Sequence, residues 1–228
     1  MQIAVDSIYI EKGLQHMYDV IFDLDGTLWD ATGETFLVWN RVFARHPEID
    51  LRVDQARKKG LMGKTMPEIG AALFPDRDAR FQVAIMDECG DAEVAWLRDH
   101  GGLLYPRLAE TLADLSRSRR LYLVSNCQDG YAQAFLSYHK VEEYFADIEM
   151  SGRTGLAKAE NIRLLMARNG VDRAVYVGDT EGDEAAASLA GVPFIHAAYG
   201  FGTAKRPDAV IRAFAELPEV LNRMDEAL

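Results

Sequence analysis

The sequence predicts an α/β fold in which a parallel sheet carries helices on both faces. Short apolar runs that end in small or acidic residues recur along the 228-residue chain, and helical patterns separate the later runs. Residues 31–102 differ, because they contain several helical stretches and no convincing strand. The prediction is therefore a doubly wound, Rossmann-like core with an all-helical cap domain inserted after the first strand.

The predicted strands lack the alternation of a half-exposed strand, which is typical of parallel strands covered on both faces. These strands are residues 18–22, 121–124, 174–177 and 192–197. The predicted core helices are residues 107–120, 130–139, 159–169 and 183–190. This alternation of strand and helix predicts the doubly wound sheet.

The predicted cap consists of helical stretches at residues 34–45, 65–74, 80–89 and 92–98. The second stretch begins with Thr65 and Glu68 at the spacing of a capping box, with Pro67 in the first turn. The glycines at 101 and 102 and the stretch 29–33 are the predicted hinges. The predicted domains are a core of residues 18–30 and 103–228, a cap of residues 31–102 and an N-terminal extension of residues 1–17.

The composition argues against several classes of protein. The chain has 25 basic and 36 acidic residues, and its net charge of -11 argues against a nucleic-acid binder, whose phosphate contacts need clustered Lys and Arg. The N-terminus lacks a basic region followed by an apolar run, and no apolar run has the length of a membrane span. The two cysteines, Cys89 and Cys127, have no CxxC spacing. We therefore expect a cytoplasmic monomer or homodimer that binds neither nucleic acid nor membrane.

The strongest chemical signal is VIFDLDGTLWD, residues 20–30, in which Asp23 and Asp25 directly follow an apolar strand. Alternate residues at the carboxyl end of a parallel strand point the same way, so both acids are expected to face the ligand crevice. The alternative is a capped strand end with two solvated acids, which is less common after a fully apolar run with a Gly-Thr turn.

A second acidic group follows the predicted strand at 174–177, in the segment VYVGDTEGDEAAA. Asp179 comes at the end of the strand, and Asp183 opens an alanine-rich helix, where in isolation it would serve as the N-cap. Carboxylates that meet at one sheet edge repel each other and raise each other's pKa values. A divalent cation relieves this repulsion, and hard oxygen ligands suit Mg²⁺.

Three further features are weaker on their own. Ser125 and Asn126 end another predicted strand, where they could hold a phosphate oxygen or form an ordinary turn. Lys158 precedes the helix that leads to the Asp179 strand, and alone it would be a solvated charge. The segment KGLMGKT, residues 59–65, looks like the end of a P-loop, but a P-loop needs a glycine in place of Lys58 and a preceding strand. We interpret it as the loop between two cap helices.

Four segments resemble, in the required order, the four motifs of the haloacid dehalogenase superfamily of phosphatases. They are DLDGT at residues 23–27, Ser125, Lys158 and GDTEGD at residues 178–183. The resemblance extends from about Tyr18 to the C-terminus. Residues 105–126 and 199–211 are also similar to the phosphoglycolate-phosphatase-like branch, which carries a helical cap between motifs one and two.

The resemblance implies a Mg²⁺-dependent phosphatase that acts on a small phosphorylated metabolite through an aspartyl phosphate. Asp23 would attack phosphorus, and Asp25 would protonate the leaving alcohol and later accept a proton from water. Thr27 would orient Asp25 beside the substrate, while Ser125 and the amide of Asn126 would hold a phosphate oxygen.

A lysine and a metal ion complete the implied site. Lys158 would offset the charge of the carboxylates and the phosphoryl group, although Ala159 replaces the proline of many relatives and Arg153 is a nearby alternative. The cap loop dips toward the site in relatives, so Lys64 or Arg57 would meet the non-phosphate end of the substrate, unless the loop is only a solvated basic turn. The implied Mg²⁺ ligands are Asp23, the backbone carbonyl of Asp25, Asp179 and Asp183.

Related functions stay open at this point. Asp25 argues against a dehalogenase and a phosphonatase, although the cap lysines keep the phosphonatase open; these are Lys58, Lys59 and Lys64. A phosphomutase of the β-phosphoglucomutase type would keep all four motifs, and a non-catalytic interaction domain is the alternative outside the enzymes. Phosphoglycolate, a sugar phosphate and a nucleotide monophosphate all fit as substrates. Trp29 stands where relatives have smaller apolar residues, and it is expected to pack on the cap base or to line the substrate mouth.

Overall fold

A computed structural model describes residues 17–227, so the predicted N-terminal extension, apart from Met17, lies outside the described residues. The strands are β1 (Asp19–Phe22), β2 (Trp29–Asp30), β3 (Leu103–Leu104), β4 (Leu121–Ser125), β5 (Phe145–Met150), β6 (Ala174–Gly178), β7 (Phe194–Ala197) and β8 (Ala209–Ile211). Six of them form one parallel sheet in the order β5-β4-β1-β6-β7-β8, whereas β2 and β3 pair in antiparallel orientation. The predicted α/β fold is confirmed.

The described residues contain ten α-helices. They are α1 (Thr32–Phe43), α2 (Gln55–Lys59), α3 (Met66–Leu73), α4 (Ala79–His100), α5 (Leu108–Leu115), α6 (Tyr131–His139), α7 (Ser151–Thr154), α8 (Lys158–Asn169), α9 (Glu181–Ala190) and α10 (Leu217–Glu226). The first four lie between β2 and β3, and the others lie between or after the strands of the large sheet. Among the described helices, none has both the length and the apolar character needed to cross a membrane.

Strand β1 lies at the point where the strand order of the sheet reverses. Val20 in β1 pairs with Leu121 of β4 on one side and with Val175 of β6 on the other. The chain occupies β4 and β5 first and then crosses to β6, β7 and β8. In open α/β sheets, ligands bind beyond the carboxyl ends of the strands at such a reversal. The residues that follow β1, β4 and β6 are therefore brought to one crevice.

Apolar side chains cover both faces of this sheet. Val20 and Phe22 of β1 belong to one buried cluster, and Ile21 belongs to a second cluster. All three side chains are fully buried. Because neither face of β1 is exposed to water, the strand has no polar alternation in the sequence.

Helices α1 to α4 surround a third apolar cluster of their own. Its largest members are Trp39, Phe43, Phe74 and Met86. The chain leaves and rejoins the core through β2 and β3, where Trp29 lies opposite Leu104. A β-carbon on Gly102 would lie 2.8 Å from Cε3 of Trp29, so this close approach favours glycine. The cap boundaries at residues 31 and 102 and the hinge role of this connection stay predictions.

The cap contains one long helix where the sequence indicated two separate stretches. Helix α4 continues through Gly90, although an interior glycine costs about 1 kcal/mol relative to alanine. A β-carbon on Gly90 would lie 3.3 Å from Cε of Met66 and 3.4 Å from Cγ of Gln128. The missing side chain therefore lets α4 pass close to α3 and to the loop after β4.

The two edge strands, β5 and β8, were not predicted. In β5 the acidic residues Asp147 and Glu149 interrupt the apolar pattern, and both pair with Arg168 of α8. Strand β8 is only three residues long. Both strands thus lack the continuous apolar run that marks a strand buried on both faces.

Candidate active site

Two buried aspartates follow β1 at the carboxyl edge of the sheet. The backbone N–H of Asp23 donates to the carbonyl oxygen of Val177 at 2.8 Å, which extends the β1–β6 pairing to this residue. Burial and the charge of Asp183 raise the pKa of Asp23 to about 6. Burial and the charge of Asp23 raise the pKa of Asp25 to about 7. Negative charge is therefore costly at this edge.

Asp179 follows β6 and is completely buried beside Asp23. Its Oδ2 accepts a hydrogen bond from the backbone N–H of Phe201 at 2.6 Å. Its Oδ1 is buried and has no hydrogen-bond partner among the described residues. Burial, followed by the charges of Asp183 and Asp23, raises the pKa of Asp179 to about 8. One carboxylate oxygen is thus left available for a ligand.

Asp183 lies in the first turn of α9, and its interpretation as the helix N-cap is wrong. The helix begins at Glu181, and Thr180 is the N-cap, whose hydroxyl accepts from the N–H of Asp183. Oδ2 of Asp183 accepts in return from the Thr180 hydroxyl at 2.7 Å and from the N–H of Thr180 at 3.0 Å. This capping box holds Asp183 in the third helical position, facing Asp23 and Asp179.

The structure places Lys158, and not Arg153, against the carboxylates. Nζ of Lys158 donates to Oδ1 of Asp23 at 2.9 Å and to Oδ1 of Asp183 at 2.5 Å. Burial alone would lower the pKa of Lys158, but the two carboxylates outweigh it and raise this pKa well above its ordinary value. Arg153 lies toward solvent, where it contacts Asp129 and Glu149.

These carboxylates fit a divalent cation. One oxygen each of Asp23, Asp179 and Asp183 lies within 4.8 Å of the others. Lys158 contacts two of the three carboxylates and leaves Asp179 Oδ1 unpartnered. Three buried acids around one lysine keep an excess of negative charge, and a cation with oxygen ligands would offset it.

Ser125 is the last residue of β4, and Asn126 follows it, on the other side of Asp23. The Ser125 side chain is buried, and its Oγ accepts from the N–H of Cys127 at 3.4 Å. The amide of the Asn126 side chain donates to the carbonyl oxygen of Gly63 at 2.8 Å, and its oxygen accepts from Ser151 at 3.0 Å. Asn126 therefore fastens the cap loop to the core through its side chain.

Asp25 is held by two residues that lie outside the DLDGT motif. Its Oδ1 accepts from the indole N–H of Trp29 at 2.9 Å and from the hydroxyl of Tyr131 at 2.9 Å. Thr27, which was expected to orient Asp25, is buried, and its hydroxyl has no hydrogen-bond partner among the described residues. The bulk of Trp29 was visible in the sequence, whereas nothing there distinguished Tyr131 from other core aromatics.

A pocket lies between this edge and the cap. Its core side is lined by Asp23, Asp25, Ser125, Asn126, Cys127, Gln128 and Tyr131, and its cap side includes Trp39, Lys58, Leu61, Met62, Lys64 and Glu93. Lys64 is an exposed residue of this lining, as expected for the cap loop. Arg57 is also exposed, but it is not among the lining residues. Its neighbour Lys58 takes the inward position.

A buried ion pair on the cap side was not predicted. Nζ of Lys58 lies 2.7 Å from Oε1 of Glu93 and 3.3 Å from the centre of the Trp39 ring. The indole N–H of Trp39 donates to Oε2 of Glu93 at 3.0 Å. Burial lowers the pKa of Lys58, and Glu93 partly offsets this effect. Lys58 and Glu93 are 35 residues apart, so no local spacing indicated the pair.

Comparison with known proteins agrees with the four-motif resemblance. The family model of haloacid dehalogenase-like hydrolases matches residues 20–197. A phosphoglycolate phosphatase of Rhodospirillum rubrum is 30% identical over 214 residues, which cover 86% of this chain and 85% of the relative. A phosphoglycolate phosphatase of Salmonella choleraesuis is 26% identical, covering 90% of this chain and 92% of the relative.

The fold also has close counterparts among solved structures. The crystal structure of a predicted phosphatase from Clostridium acetobutylicum matches with a TM-score of 0.78 and 21% identity, covering 92% of this chain and 99% of the other. At this identity the match concerns the fold, and the family assignment depends on the match over residues 20–197. The chain therefore belongs to the haloacid dehalogenase-like hydrolase family and is an enzyme of its phosphoglycolate-phosphatase-like branch.

Proposed function

We propose that this protein is a Mg²⁺-dependent phosphomonoesterase that hydrolyses a small phosphorylated metabolite through an aspartyl phosphate. One arrangement carries the proposal: the buried carboxylate of Asp23 contacts Lys158 and lies beside Asp179 and Asp183, at the base of a partly enclosed pocket. A nucleophile, a neutralising lysine and a set of cation ligands are thus within reach of one phosphoryl group. Phosphoryl transfer needs mainly such positioning and charge stabilisation.

The proposed reaction has two displacement steps at phosphorus. A carboxylate oxygen of Asp23 attacks phosphorus, the bond to the leaving oxygen breaks, and Asp25 gives its proton to that oxygen. Asp25 then takes a proton from water, whose oxygen attacks phosphorus, and the bond to Asp23 breaks to release inorganic phosphate. Ser125 and the backbone amide of Asn126 hold a phosphoryl oxygen during both steps.

The proposed cation ligands are Asp23, Asp179, Asp183 and the backbone carbonyl of Asp25. Asp179 is the most available ligand because its Oδ1 has no other partner among the described residues. Both oxygens of Asp183 already accept hydrogen bonds, so we expect this residue to act through a water molecule. A bound cation would offset the negative charge of the phosphoryl group. Mg²⁺ is proposed because the ligands are few and all are oxygen.

The substrate is proposed to be a small metabolite, since side chains of the core and the cap line the pocket from opposite sides and leave little space between them. The names of the curated relatives make phosphoglycolate the first compound to test. Sugar phosphates and nucleotide monophosphates are the other candidates. The cap side offers polar groups from Lys58 and Glu93 as well as apolar surface from Leu61 and Met62.

The proposal is tested by measuring phosphate release from p-nitrophenyl phosphate and a panel of metabolite esters, with Mg²⁺ and with EDTA. We expect turnover with Mg²⁺ and a loss of at least about 10²-fold with EDTA. Mg²⁺ should also raise the thermal unfolding midpoint, because it binds the folded carboxylate cluster. Absence of turnover with every ester would contradict the proposal. Isomerisation of a sugar phosphate without phosphate release would instead indicate a phosphomutase.

Replacement of Lys64 by alanine is expected to change substrate preference. Lys64 lines the pocket mouth, so kcat/KM for an ester with an anionic leaving group should fall about tenfold, the size of one charge-assisted contact. The kcat/KM for p-nitrophenyl phosphate should stay within about twofold, because this ester offers Lys64 no second anionic group. Arg80→Ala, which removes an exposed positive charge of the cap outside the pocket, is the matched control. An unchanged substrate profile in Lys64→Ala would favour a solvated turn.

A further inference from the structure

We propose that Trp29 is a positioning residue. Trp29 and Tyr131 together hold the Asp25 carboxyl group so that only its Oδ2 is free to give a proton to the leaving oxygen. This inference rests on the proposed function, in which Asp25 is the acid of the first step. The indole N–H of Trp29 and the hydroxyl of Tyr131 both donate to Oδ1, each at 2.9 Å. A carboxylate oxygen has about two acceptor positions, so Oδ1 is fully used by these two donors.

The two donors approach Asp25 from different parts of the fold. Trp29 lies in β2, four residues after Asp25, and Tyr131 begins α6, which is 106 residues away in sequence. With two hydrogen bonds from separate elements, the carboxyl group cannot rotate without breaking at least one of them. Holding a catalytic group in one orientation is a recognised contribution to rate, because misplacement by about 1 Å can cost about 10²-fold.

Trp29 is itself fixed by its surroundings. Its side chain is fully buried, and its ring packs edge to face against Phe135 at 5.1 Å and Tyr131 at 5.5 Å between ring centres. The backbone carbonyl of Trp29 accepts from the N–H of Gly26 at 2.9 Å, which closes the turn that carries Asp25. Backbone and side chain of Trp29 thus both fix the Asp25 turn.

A purely structural role of Trp29 would have a different consequence. If Trp29 only fills the core, its loss should impair every substrate to the same degree. If it positions the acid, the loss should depend on the leaving group. An alkyl alkoxide needs a proton to leave, whereas p-nitrophenolate is stable as an anion and leaves without one. The value of kcat/KM covers the steps through departure of the alcohol. The ratio of kcat/KM for the two ester types therefore reports on proton donation by Asp25.

The test compares Trp29→Phe with the wild-type protein on p-nitrophenyl phosphate and on the best alkyl phosphate of the panel. Phenylalanine keeps an aromatic ring against Phe135 and removes the N–H donor. We expect kcat/KM for the alkyl ester to fall by about 10–10²-fold, because a misplaced acid loses part of the roughly 10²–10⁴-fold that general acid catalysis contributes. The kcat/KM for p-nitrophenyl phosphate should change by less than about threefold. Tyr131→Phe removes the other donor and should give the same difference between the two esters. Trp96→Phe, the same change in a partly buried tryptophan outside the pocket, should give none.

The outcomes separate the inference from the function on which it rests. An equal loss on both esters in Trp29→Phe and Tyr131→Phe, or no loss in either variant, would overturn the positioning role. If Trp29→Phe fails to fold, the result with Tyr131→Phe decides. Absence of turnover by the wild-type protein on both esters would refute the proposed function, and the role of Trp29 with it. Wild-type turnover of both esters combined with an equal loss in the variants would refute the positioning role only.

Discussion

Replacement of Asp23 by asparagine is expected to lower kcat for p-nitrophenyl phosphate by more than about 10⁴-fold, the order of effect seen when a nucleophile is removed. The reason is that an amide cannot form the acyl phosphate through which both proposed steps pass. Asparagine keeps the shape of the side chain and can still accept from Lys158. The variant should therefore fold and bind phosphate esters while failing to turn them over.

The control for this experiment is Asp114→Asn, which makes the same chemical change at an exposed carboxylate on α5. It should leave kcat unchanged within about twofold, as for surface substitutions in general. Circular dichroism of both variants would establish that each is folded. If Asp23→Asn kept more than about one hundredth of the wild-type kcat, water or another side chain would be the nucleophile, and the aspartyl-phosphate step would have to be abandoned.

Replacement of Glu93 by leucine is expected to lower the free energy of unfolding by about 3–5 kcal/mol. The change leaves the ammonium group of Lys58, which is almost fully buried, without its only carboxylate partner in the described structure. The loss should appear as a lower midpoint in urea unfolding, followed by tryptophan fluorescence. Glu88→Leu, on the same helix and paired with Arg45 and His46 at the protein surface, should cost at most about 1 kcal/mol.

A double replacement distinguishes a structural pair from a functional one. Lys58→Met combined with Glu93→Leu removes both charges and keeps similar volume, so stability should be restored to about the wild-type value or above. Restored stability with lost turnover of the best substrate would assign the pair to substrate recognition. A small effect of Glu93→Leu alone, equal to that of Glu88→Leu, would contradict the prediction and show that Lys58 does not stay as an unpaired buried charge, because it is hydrated or loses its proton.

Much of the fold could be predicted because its signals are local. The runs that became β1, β4, β6 and β7 are apolar over several consecutive residues, and buried parallel strands require that pattern. Strand β5 was missed because acidic residues interrupt its apolar pattern, and β8 was missed because it is only three residues long. Helix α4 was divided at Gly90 because glycine often marks a break, whereas the close packing against Met66 and Gln128 favours glycine there.

The acids of the site could be located in the sequence for a similar reason. Asp23 and Asp179 each follow an apolar strand, and the rule for parallel sheets brings such strand ends together. That rule predicts at which edge of the sheet a residue lies, but not which side chains it contacts. It could not tell whether Lys158 or Arg153, five residues apart, contacts the carboxylates. It also could not tell whether Arg57 or its neighbour Lys58 faces the pocket. The side that each residue presents depends on how its helix packs.

By itself, then, the sequence determined the fold class, the family and the acids at the strand ends, because each strand and each motif is a short local stretch and their order along the chain is visible. Only the tertiary structure decided which side chains meet. Trp29 and Tyr131 donate hydrogen bonds to Asp25, and Lys58 donates to Glu93. These contacts join residues from separately packed elements, and no period or motif in the chain specifies them. Their geometry depends on where whole helices pack against the sheet and within the cap. That placement results from all the side-chain contacts of the core together and not from local spacing in the chain.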